Sequence, residues 1–244
     1  MARLVCDFRS ESLERNTSMT VILPEQADLS KVPVVYLLHG VGDDGTGWVR
    51  YTSVERYARM KGIALVVPDG QRSFYTDMAY GPPYFRFVHD ELRETCMRFF
   101  GFSPKRELTY VMGLSMGGYG ALKCALSTPD RYAGCAAFSA VTDIVRTVAE
   151  GKDTSSKEFH AIFGERVPEN DDLYHLLAQS DWNALPSFFL ACGEQDSHYS
   201  QSVAMVEKLR EKGAKAIFEH WNGIHGWDFW DEAVRRAFAV FFEG

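Results

Sequence analysis

Short apolar runs recur along the chain, and polar segments that contain glycine separate them. Six runs are predicted to be strands: Val34–Leu38, Ile63–Val67, Leu108–Met112, Cys135–Ser139, Ser187–Cys192 and Ala216–Trp221. Most of them carry apolar side chains without alternation, as strands do when both faces of a parallel sheet are covered. Between the runs, apolar residues recur at helical spacing. The alternation of strands and helices predicts a mostly parallel sheet with helices on both faces.

Two further strands are predicted at the start of the chain, Leu4–Phe8 and Thr17–Leu23, with the polar turn 11–16 between them. Strands joined by so short a turn run antiparallel, so they would form an antiparallel N-terminal edge of the sheet. No repeat, linker or low-complexity segment interrupts the sequence. One domain spanning residues 1–244 is therefore expected.

The least regular part of the chain is the segment 143–182. It contains two short helical patterns, Ser156–Phe163 and Asn170–Gln179, with Asn170 as the expected N-cap of the second. An insertion of this kind between late strands often forms a lid or the wall of a pocket. Trp182 ends the segment and is a candidate substrate-binding residue on that wall.

Composition narrows the classes of function. The 244 residues carry a net charge of −7, which argues against a nucleic-acid-binding surface. No apolar stretch approaches the ~18 residues of a membrane span, and the first residues do not resemble a secretory signal, so a cytoplasmic protein is expected. The five cysteines are scattered and are expected to be reduced core residues. Neither Cys nor His residues cluster at metal-ligand spacing, so no metal site is predicted.

The segment Gly113-Leu114-Ser115-Met116-Gly117 carries the strongest chemical signal. It stands between a predicted strand and a predicted helix, which is the context of a nucleophile elbow, a sharp turn that exposes a reactive serine. The glycines on either side let the chain pass closely, and the following helix directs its positive end at the site. The alternative is a glycine-rich turn in which Ser115 has no chemical role.

The loop after Val34–Leu38 has the sequence His39-Gly40-Val41-Gly42-Asp43-Asp44-Gly45. A hydrolase needs two backbone N–H groups that bind the developing oxyanion. One comes from the residue after the nucleophile, here Met116, and the other from a loop after an early strand. Val41 is the first choice for the second donor, and Gly40 is expected to contact substrate. The alternative is a loop that serves only as a turn.

Three predicted strands end close to Ser115, Asp196 and His225, in the chain order that the α/β-hydrolase fold uses for its catalytic triad. A serine hydroxyl becomes nucleophilic when an imidazole takes its proton, and a carboxylate orients that imidazole. Glu194 is the alternative acid. Among the other histidines, His220 lies within a strand, and the rest are expected to be structural or exposed: His39, His89, His160, His175 and His198.

These stretches resemble the bacterial tributyrin esterases of the esterase D group of α/β-hydrolases, a group related to feruloyl and acetylxylan esterases. The similarity rests on four segments: Leu38–Gly40, 68–78, Gly113–Leu122 and Gly223–Trp230. It implies a cytoplasmic serine esterase that acts on short acyl esters without a cofactor and often as a homo-oligomer. It assigns the triad to Ser115, Asp196 and His225. Asp43 and Asp44 stand where the resemblance predicts glycine or asparagine.

The sequence therefore predicts a carboxylesterase of the α/β-hydrolase fold whose partner is a small-molecule ester, without nucleic acid or membrane. Tyr75, in the long loop 71–83, is a further candidate substrate-binding residue. Three alternatives remain open: a feruloyl or acetylxylan-type carbohydrate esterase, an S-formylglutathione hydrolase, and a non-catalytic binding member of the fold.

Overall fold

The apolar runs of the sequence pair side by side in one sheet. The computed structural model describes residues 1–151 and 154–242. The strands in these residues are β1 (Ala2–Ser10), β2 (Arg15–Leu23), β3 (Val34–Leu38), β4 (Ala64–Pro68), β5 (Thr109–Leu114), β6 (Gly134–Phe138), β7 (Ser187–Gly193) and β8 (Ala216–Trp221). They form one eight-stranded sheet in the order β1-β2-β4-β3-β5-β6-β7-β8.

Strands β3 to β8 run parallel to one another, while β2 pairs antiparallel with both β1 and β4. The predicted antiparallel edge and parallel centre are confirmed. Because the parallel strands end at the same edge of the sheet, the loops after β3, β5, β7 and β8 meet there. These four loops carry the predicted oxyanion and triad residues.

Helices cover both faces of the sheet. Their bounds are α1 (Gly47–Tyr51), α2 (Val54–Lys61), α3 (Tyr84–Arg86), α4 (Leu92–Phe100), α5 (Met116–Ser127), α6 (Ile144–Glu150), α7 (Ser156–Phe163), α8 (Leu173–Gln179), α9 (Tyr199–Glu211) and α10 (Trp227–Phe241). Side chains of α2 and α10 belong to the core on one face, and those of α4, α5, α7, α8 and α9 to the core on the other. None of the described helices combines the length and the apolar surface needed to span a lipid bilayer.

Two helices differ from their predicted form. The spacing of Val88, Leu92, Cys96 and Phe99 predicts one helix from Tyr84 to Phe100. In the structure a π-helical turn, Phe87–Glu91, joins α3 to α4 within this range. Helix α8 begins at Leu173, and Asn170 lies before it in a 3₁₀ turn. Asp172 is the N-cap because its carboxylate accepts a hydrogen bond from the N–H of Tyr174 at 2.9 Å. The prediction that Asn170 caps this helix was therefore wrong.

The segment 143–182 packs against the loop 71–83, so it forms a wall on that side of the molecule. Phe159 and Phe163 of α7 contact Phe74, with ring centroids 5.6 and 6.1 Å apart. A lid movement of this segment stays a prediction, as does the single domain of residues 1–244. Residues 152–153 and 243–244, which belong to those ranges, lie outside the described residues. All five cysteines are free thiols, and four of them are buried.

Candidate active site

Ser115 occupies a strained turn between β5 and α5. Its backbone has φ 53° and ψ −118°, a conformation that L-residues rarely adopt and that must be held by its surroundings. Its N–H donates a 2.8 Å hydrogen bond to the carbonyl oxygen of Phe138, on the neighbouring strand. A Cβ at Gly113 would lie 2.2 Å from the Gly117 oxygen, and one at Gly117 would lie 2.4 Å from the Leu38 oxygen. Both positions therefore require glycine.

A continuous hydrogen-bonded series joins the three predicted triad side chains. The Oγ of Ser115 lies 3.0 Å from Nε2 of His225, and Nδ1 of the same ring lies 2.9 Å from Oδ2 of Asp196. The other carboxylate oxygen of Asp196 accepts the backbone N–H of His198 at 2.9 Å. Residues separated by 110 and 29 positions in sequence thus meet at the edge where the parallel strands end.

The contacts of Asp196 determine the protonation of the imidazole. Burial raises the pKa of the Asp196 carboxyl, but the hydrogen bonds from His225 and His198 outweigh it, and the net pKa lies below its ordinary value. An ionised carboxylate only accepts hydrogen bonds, so Nδ1 of His225 carries the proton. In the neutral ring, Nε2 is then the acceptor that faces Ser115. This is the tautomer that a general base needs.

His39 orients the loop that follows β3. Its Nε2 accepts the N–H of Gly70 at 2.9 Å, so the proton lies on Nδ1, which donates to the carbonyl oxygen of Gly40 at 2.8 Å. In a trans peptide the C=O and N–H point in opposite directions, so the Val41 N–H points away from His39. Gly40 and Val41 both line the cleft that contains Ser115. His39 is buried and structural, as predicted from the sequence.

Met116 is the first residue of α5, and its side chain is fully buried. The first N–H groups of a helix have no intrahelical partner, so they remain available to a ligand. Within the described residues, neither Met116 nor Val41 donates its N–H to a loop or cap carbonyl. One N–H donor from the loop after β3 and one from the start of α5 are therefore available beside Ser115.

A cleft of about 430 Å³ opens at Ser115 and His225. The loop residues 40–43 form part of its lining. Apolar and aromatic side chains complete the lining: Phe74, Leu114, Val141, Trp227 and Trp230. Trp230 meets the His225 ring edge to face at 4.9 Å and donates its indole N–H to Ser139 Oγ at 3.0 Å. In the sequence, Trp230 shares one side of the final predicted helix with the apolar residues Val234, Phe238 and Phe241, and only the fold shows that it also reaches the cleft.

Two of the three candidate substrate-binding residues lie away from this cleft. Tyr75 is fully buried, and its hydroxyl donates to the carbonyl oxygen of His39 at 3.0 Å, so it supports the oxyanion loop from behind. Trp182 is 59% exposed and lines a separate cavity with Arg106 and Gly213, near the start of β7 and so at the opposite end of the sheet. The prediction that Tyr75 and Trp182 bind substrate was therefore wrong. Gly40, the third candidate, does line the cleft.

Arg72 connects the wall to the oxyanion loop, a role that the sequence did not reveal. Its guanidinium donates to the carbonyl oxygen of Val41 at 3.2 Å and to Glu158 Oε2 of α7 at 2.9 Å. It also donates to the hydroxyl of Thr154 at 3.1 Å. Nothing in the local pattern of the loop 71–83 indicates these partners, which lie 31 to 86 residues away.

The alternative acid, Glu194, does not contact His225. Its Oε1 lies 3.0 Å from Nδ1 of His220, on the exposed face of β8. Asp196, His198 and His225 hold ligand-type atoms within 4.8 Å of one another, although the sequence shows no metal-ligand spacing. Two members of this group are the hydrogen-bonded pair described above. The absence of a metal stays a prediction.

A strained serine after β5, an imidazole after β8 and a carboxylate after β7 define an α/β-hydrolase. The Esterase family model matches residues 10–241, and the chain belongs to this family. It is 28% identical to an acetyl esterase of Caldicellulosiruptor saccharolyticus, over 98% of this chain and 97% of that one.

Two solved structures from Staphylococcus aureus resemble the whole chain. One is FphF, a fluorophosphonate-binding serine hydrolase, at 29% identity and a TM-score of 0.90 over 100% of this chain and 99% of that one. The other is the S-formylglutathione hydrolase FrmB, at 29% identity and a TM-score of 0.88 over 99% of each chain. The protein is an ester hydrolase of the esterase D and feruloyl esterase group.

Proposed function

We propose that this carboxylesterase hydrolyses short-chain acyl esters, acetyl to butyryl, through an acyl-enzyme on Ser115. The observation that carries the proposal is the hydrogen-bonded series from Ser115 Oγ through His225 to Asp196, with distances of 3.0 and 2.9 Å, at the floor of a cleft. A reducing compartment, the cytoplasm, suits its five free thiols.

In the first half of the reaction, Ser115 Oγ attacks the ester carbonyl carbon while His225 Nε2 takes the hydroxyl proton. The carbonyl oxygen becomes an oxyanion, which accepts hydrogen bonds from the N–H groups of Val41 and Met116. The Asp196 carboxylate stabilises the imidazolium. The bond to the alcohol then breaks, and the alcohol leaves with the proton from Nε2.

In the second half, water attacks the acyl-enzyme carbonyl and gives its proton to Nε2 of His225. The same two N–H groups bind the second oxyanion. Collapse of this intermediate releases the carboxylic acid, and Ser115 recovers its proton from Nε2. No step requires a group that the chain lacks.

The dimensions of the cleft support small substrates. Its volume of about 430 Å³ lies near the lower end of the range for small-molecule sites. Phe74 and Val141 line the cleft but are themselves almost completely buried, so they leave little space beside Ser115 and favour a short acyl chain. A panel of p-nitrophenyl esters from acetyl to octanoyl, with a feruloyl ester added, tests this range; highest kcat/KM at octanoyl or feruloyl would contradict it.

The matched pair Ser115→Ala and Ser200→Ala tests the nucleophile, because Ser200 is exposed on α9, outside the site. Ser115→Ala is expected to lower kcat on p-nitrophenyl acetate by about 10⁵-fold or more with an unchanged melting temperature. Ser200→Ala should match the wild type. A fluorophosphonate should label the wild type and Ser200→Ala, with the adduct located on Ser115 by peptide mass, and should not label Ser115→Ala. Substantial turnover by folded Ser115→Ala would end the proposal.

A second candidate is hydrolysis of S-formylglutathione, a thioester. The similarity to the S. aureus S-formylglutathione hydrolase over 99% of both chains favours it. The same triad would serve, with a thiolate as the leaving group. Comparing kcat/KM on S-formylglutathione with that on p-nitrophenyl acetate and butyrate separates the two candidates.

A further inference from the structure

Asp43 is a charged group in the cleft that the proposed mechanism does not use. It lies in the loop after β3, is half-buried, and lines the cleft with Ser115 and His225. No described residue donates a hydrogen bond to its carboxylate or lies within ion-pair distance of it. Its neighbour Asp44 differs, because its carboxylate accepts the N–H and the hydroxyl of Thr46 at 2.8 and 2.6 Å. Asp44 therefore has a structural role, and Asp43 has none that the fold explains.

The position of the Asp43 carboxylate follows from its neighbours. A Cβ built on Gly40 would lie 3.6 Å from Ser115 Cβ and 3.8 Å from Asp43 Oδ2. These distances put Oδ2 of Asp43 within about 7.4 Å of the Ser115 Cβ, a range over which charges interact in a partly desolvated site. It thus acts on groups that are bound next to the reacting carbonyl.

Trp227 also lies close to the Asp43 carboxylate. A Cβ built on Gly47 would lie 3.1 Å from Asp43 Oδ1 and 3.2 Å from Trp227 Cζ2. Trp227 directly follows the His225–Gly226 loop and also lines the cleft. The leaving alcohol takes its proton from His225, so this is the side on which the alcohol part is expected to bind. An aromatic ring beside a carboxylate is a favourable environment for an ammonium group.

The surrounding charges compensate the Asp43 carboxylate only in part. Burial raises the pKa of Asp43, and Asp44 raises it further, while His39 and Arg50 act in the opposite direction. His39 accepts the Gly70 N–H at Nε2, which is the arrangement of a neutral ring. A pH of 8 lies well above the ordinary pKa of an aspartic acid side chain, so measurements there favour the charged form of Asp43 despite its raised pKa.

We propose that Asp43 makes the cleft selective for esters whose alcohol part carries a cationic group, and selective against alcohol or thiol parts that carry carboxylates. This inference rests on the proposed ester hydrolysis and defines its substrate class more closely. It also bears on the second candidate function. Glutathione has two carboxylates and one ammonium, so its thioester should be disfavoured by the same charge.

Two esters of equal shape test the proposal, acetylcholine and 3,3-dimethylbutyl acetate, which differ in a single charged nitrogen. The readout is the ratio of their kcat/KM values at pH 8. In the wild type the cationic ester should be preferred by about tenfold, the effect of a single moderately screened charge pair. Asp43→Asn should bring the ratio close to one. Asp44→Asn, which changes the charge of the same loop by the same amount, should retain the preference.

Salt supplies a measurement that needs no variant. Raising NaCl from 0.05 to 0.5 M should lower the wild-type preference several-fold, because the charges are partly exposed. A wild-type ratio near one, or a ratio that Asp43→Asn leaves unchanged, would overturn the proposal. So would an equal rise on both esters in Asp43→Asn, which would mean that Asp43 only opposes the oxyanion. Failure of the proposed function is distinguishable, because the wild type would then hydrolyse neither ester.

Discussion

Ser115 and Phe74 face the same cleft but are held in different ways. Ser115 is fixed by backbone: its own N–H and C=O are hydrogen-bonded, and glycines on either side allow two chains to pass within contact distance. Phe74 is fixed by side chains of α7, which belongs to a segment some 85 residues later in the chain. Ser115 and the glycines on either side of it, Gly113 and Gly117, form the reaction centre. Residues 71–83 and 143–182 form the wall.

The difference separates chemistry from specificity. The reaction centre depends on close backbone approach, which tolerates almost no change. The wall depends on packing and on a few polar contacts, which can change without altering the strained turn. Substitutions in the reaction centre should therefore abolish folding or turnover, whereas substitutions in the wall should change stability or KM while Ser115 stays reactive.

The largest effect is expected from Gly117→Ala. Its new Cβ would lie 2.4 Å from the Leu38 oxygen and 2.6 Å from the His39 oxygen, both backbone atoms of β3 and its loop that cannot move aside. We expect a loss of about 4 kcal/mol or more in the free energy of unfolding and no measurable esterase activity. Urea denaturation and p-nitrophenyl acetate turnover measure both.

Gly42→Ala is the matched control, because a Cβ there meets nothing within 4 Å. Its urea midpoint should equal that of the wild type. Equal stability of the Gly117 variant and this control would contradict the close approach of the two chains.

Much of the reaction centre was predictable for this reason. A turn that tolerates only glycine can be recognised in the local sequence, so Gly113 and Gly117 identified Ser115 as the candidate nucleophile. Asp196 and His225 were identified because they follow the ends of predicted strands. The wall left no such pattern. Arg72 contacts groups that are distant in sequence. Trp182 ends the wall segment, but it lies near the start of β7, at the end of the sheet opposite the cleft. Contacts between distant segments cannot be read from the spacing of residues.

The second largest effect is expected where the wall is tied to helix α5. Lys123 of α5 forms a buried ion pair with Asp171 of the wall and lies 4.2 Å from the centroid of the Phe85 ring. Burial lowers the pKa of Lys123, and Asp171 opposes that shift. Lys123→Met would leave the Asp171 carboxylate buried without a cation, and we expect a loss of about 3 kcal/mol in the free energy of unfolding. Fluorophosphonate labelling of the folded fraction should persist.

The double variant Lys123→Met with Asp171→Leu should recover much of this loss, because neither charge then remains buried. Lys208→Met removes an exposed partner of Glu211 and should leave the urea midpoint unchanged. If the double variant were no more stable than the single one, the ion pair would not be the cause.

A smaller effect is expected from Arg72, which is half-exposed and joins the wall to the oxyanion loop. Arg72→Gln removes the hydrogen bond to the Val41 carbonyl and the ion pair with Glu158, so the loop should be less well oriented. We expect a fall of about fivefold in kcat/KM on p-nitrophenyl butyrate, with partial rescue by Arg72→Lys. Arg86→Gln, which alters a weak pair with Asp77 at 3.9 Å, is the control and should be silent.

The smallest effect is expected from Trp182→Ala, and it tests how far the wall extends. Residue 182 ends the irregular segment, but its side chain lines a cavity of about 440 Å³ with Arg106 and Lys215, beside the strand starts. A change there should not reach Ser115, so kcat/KM should stay within about twofold of the wild type on every ester, because distant sites act independently. Trp227→Ala is the matched removal of an indole that does line the cleft, and it should raise KM severalfold. Equal effects of the two variants would mean that residue 182 also acts on the reaction centre, and the separation between the cavity at the strand starts and the cleft at Ser115 would not hold.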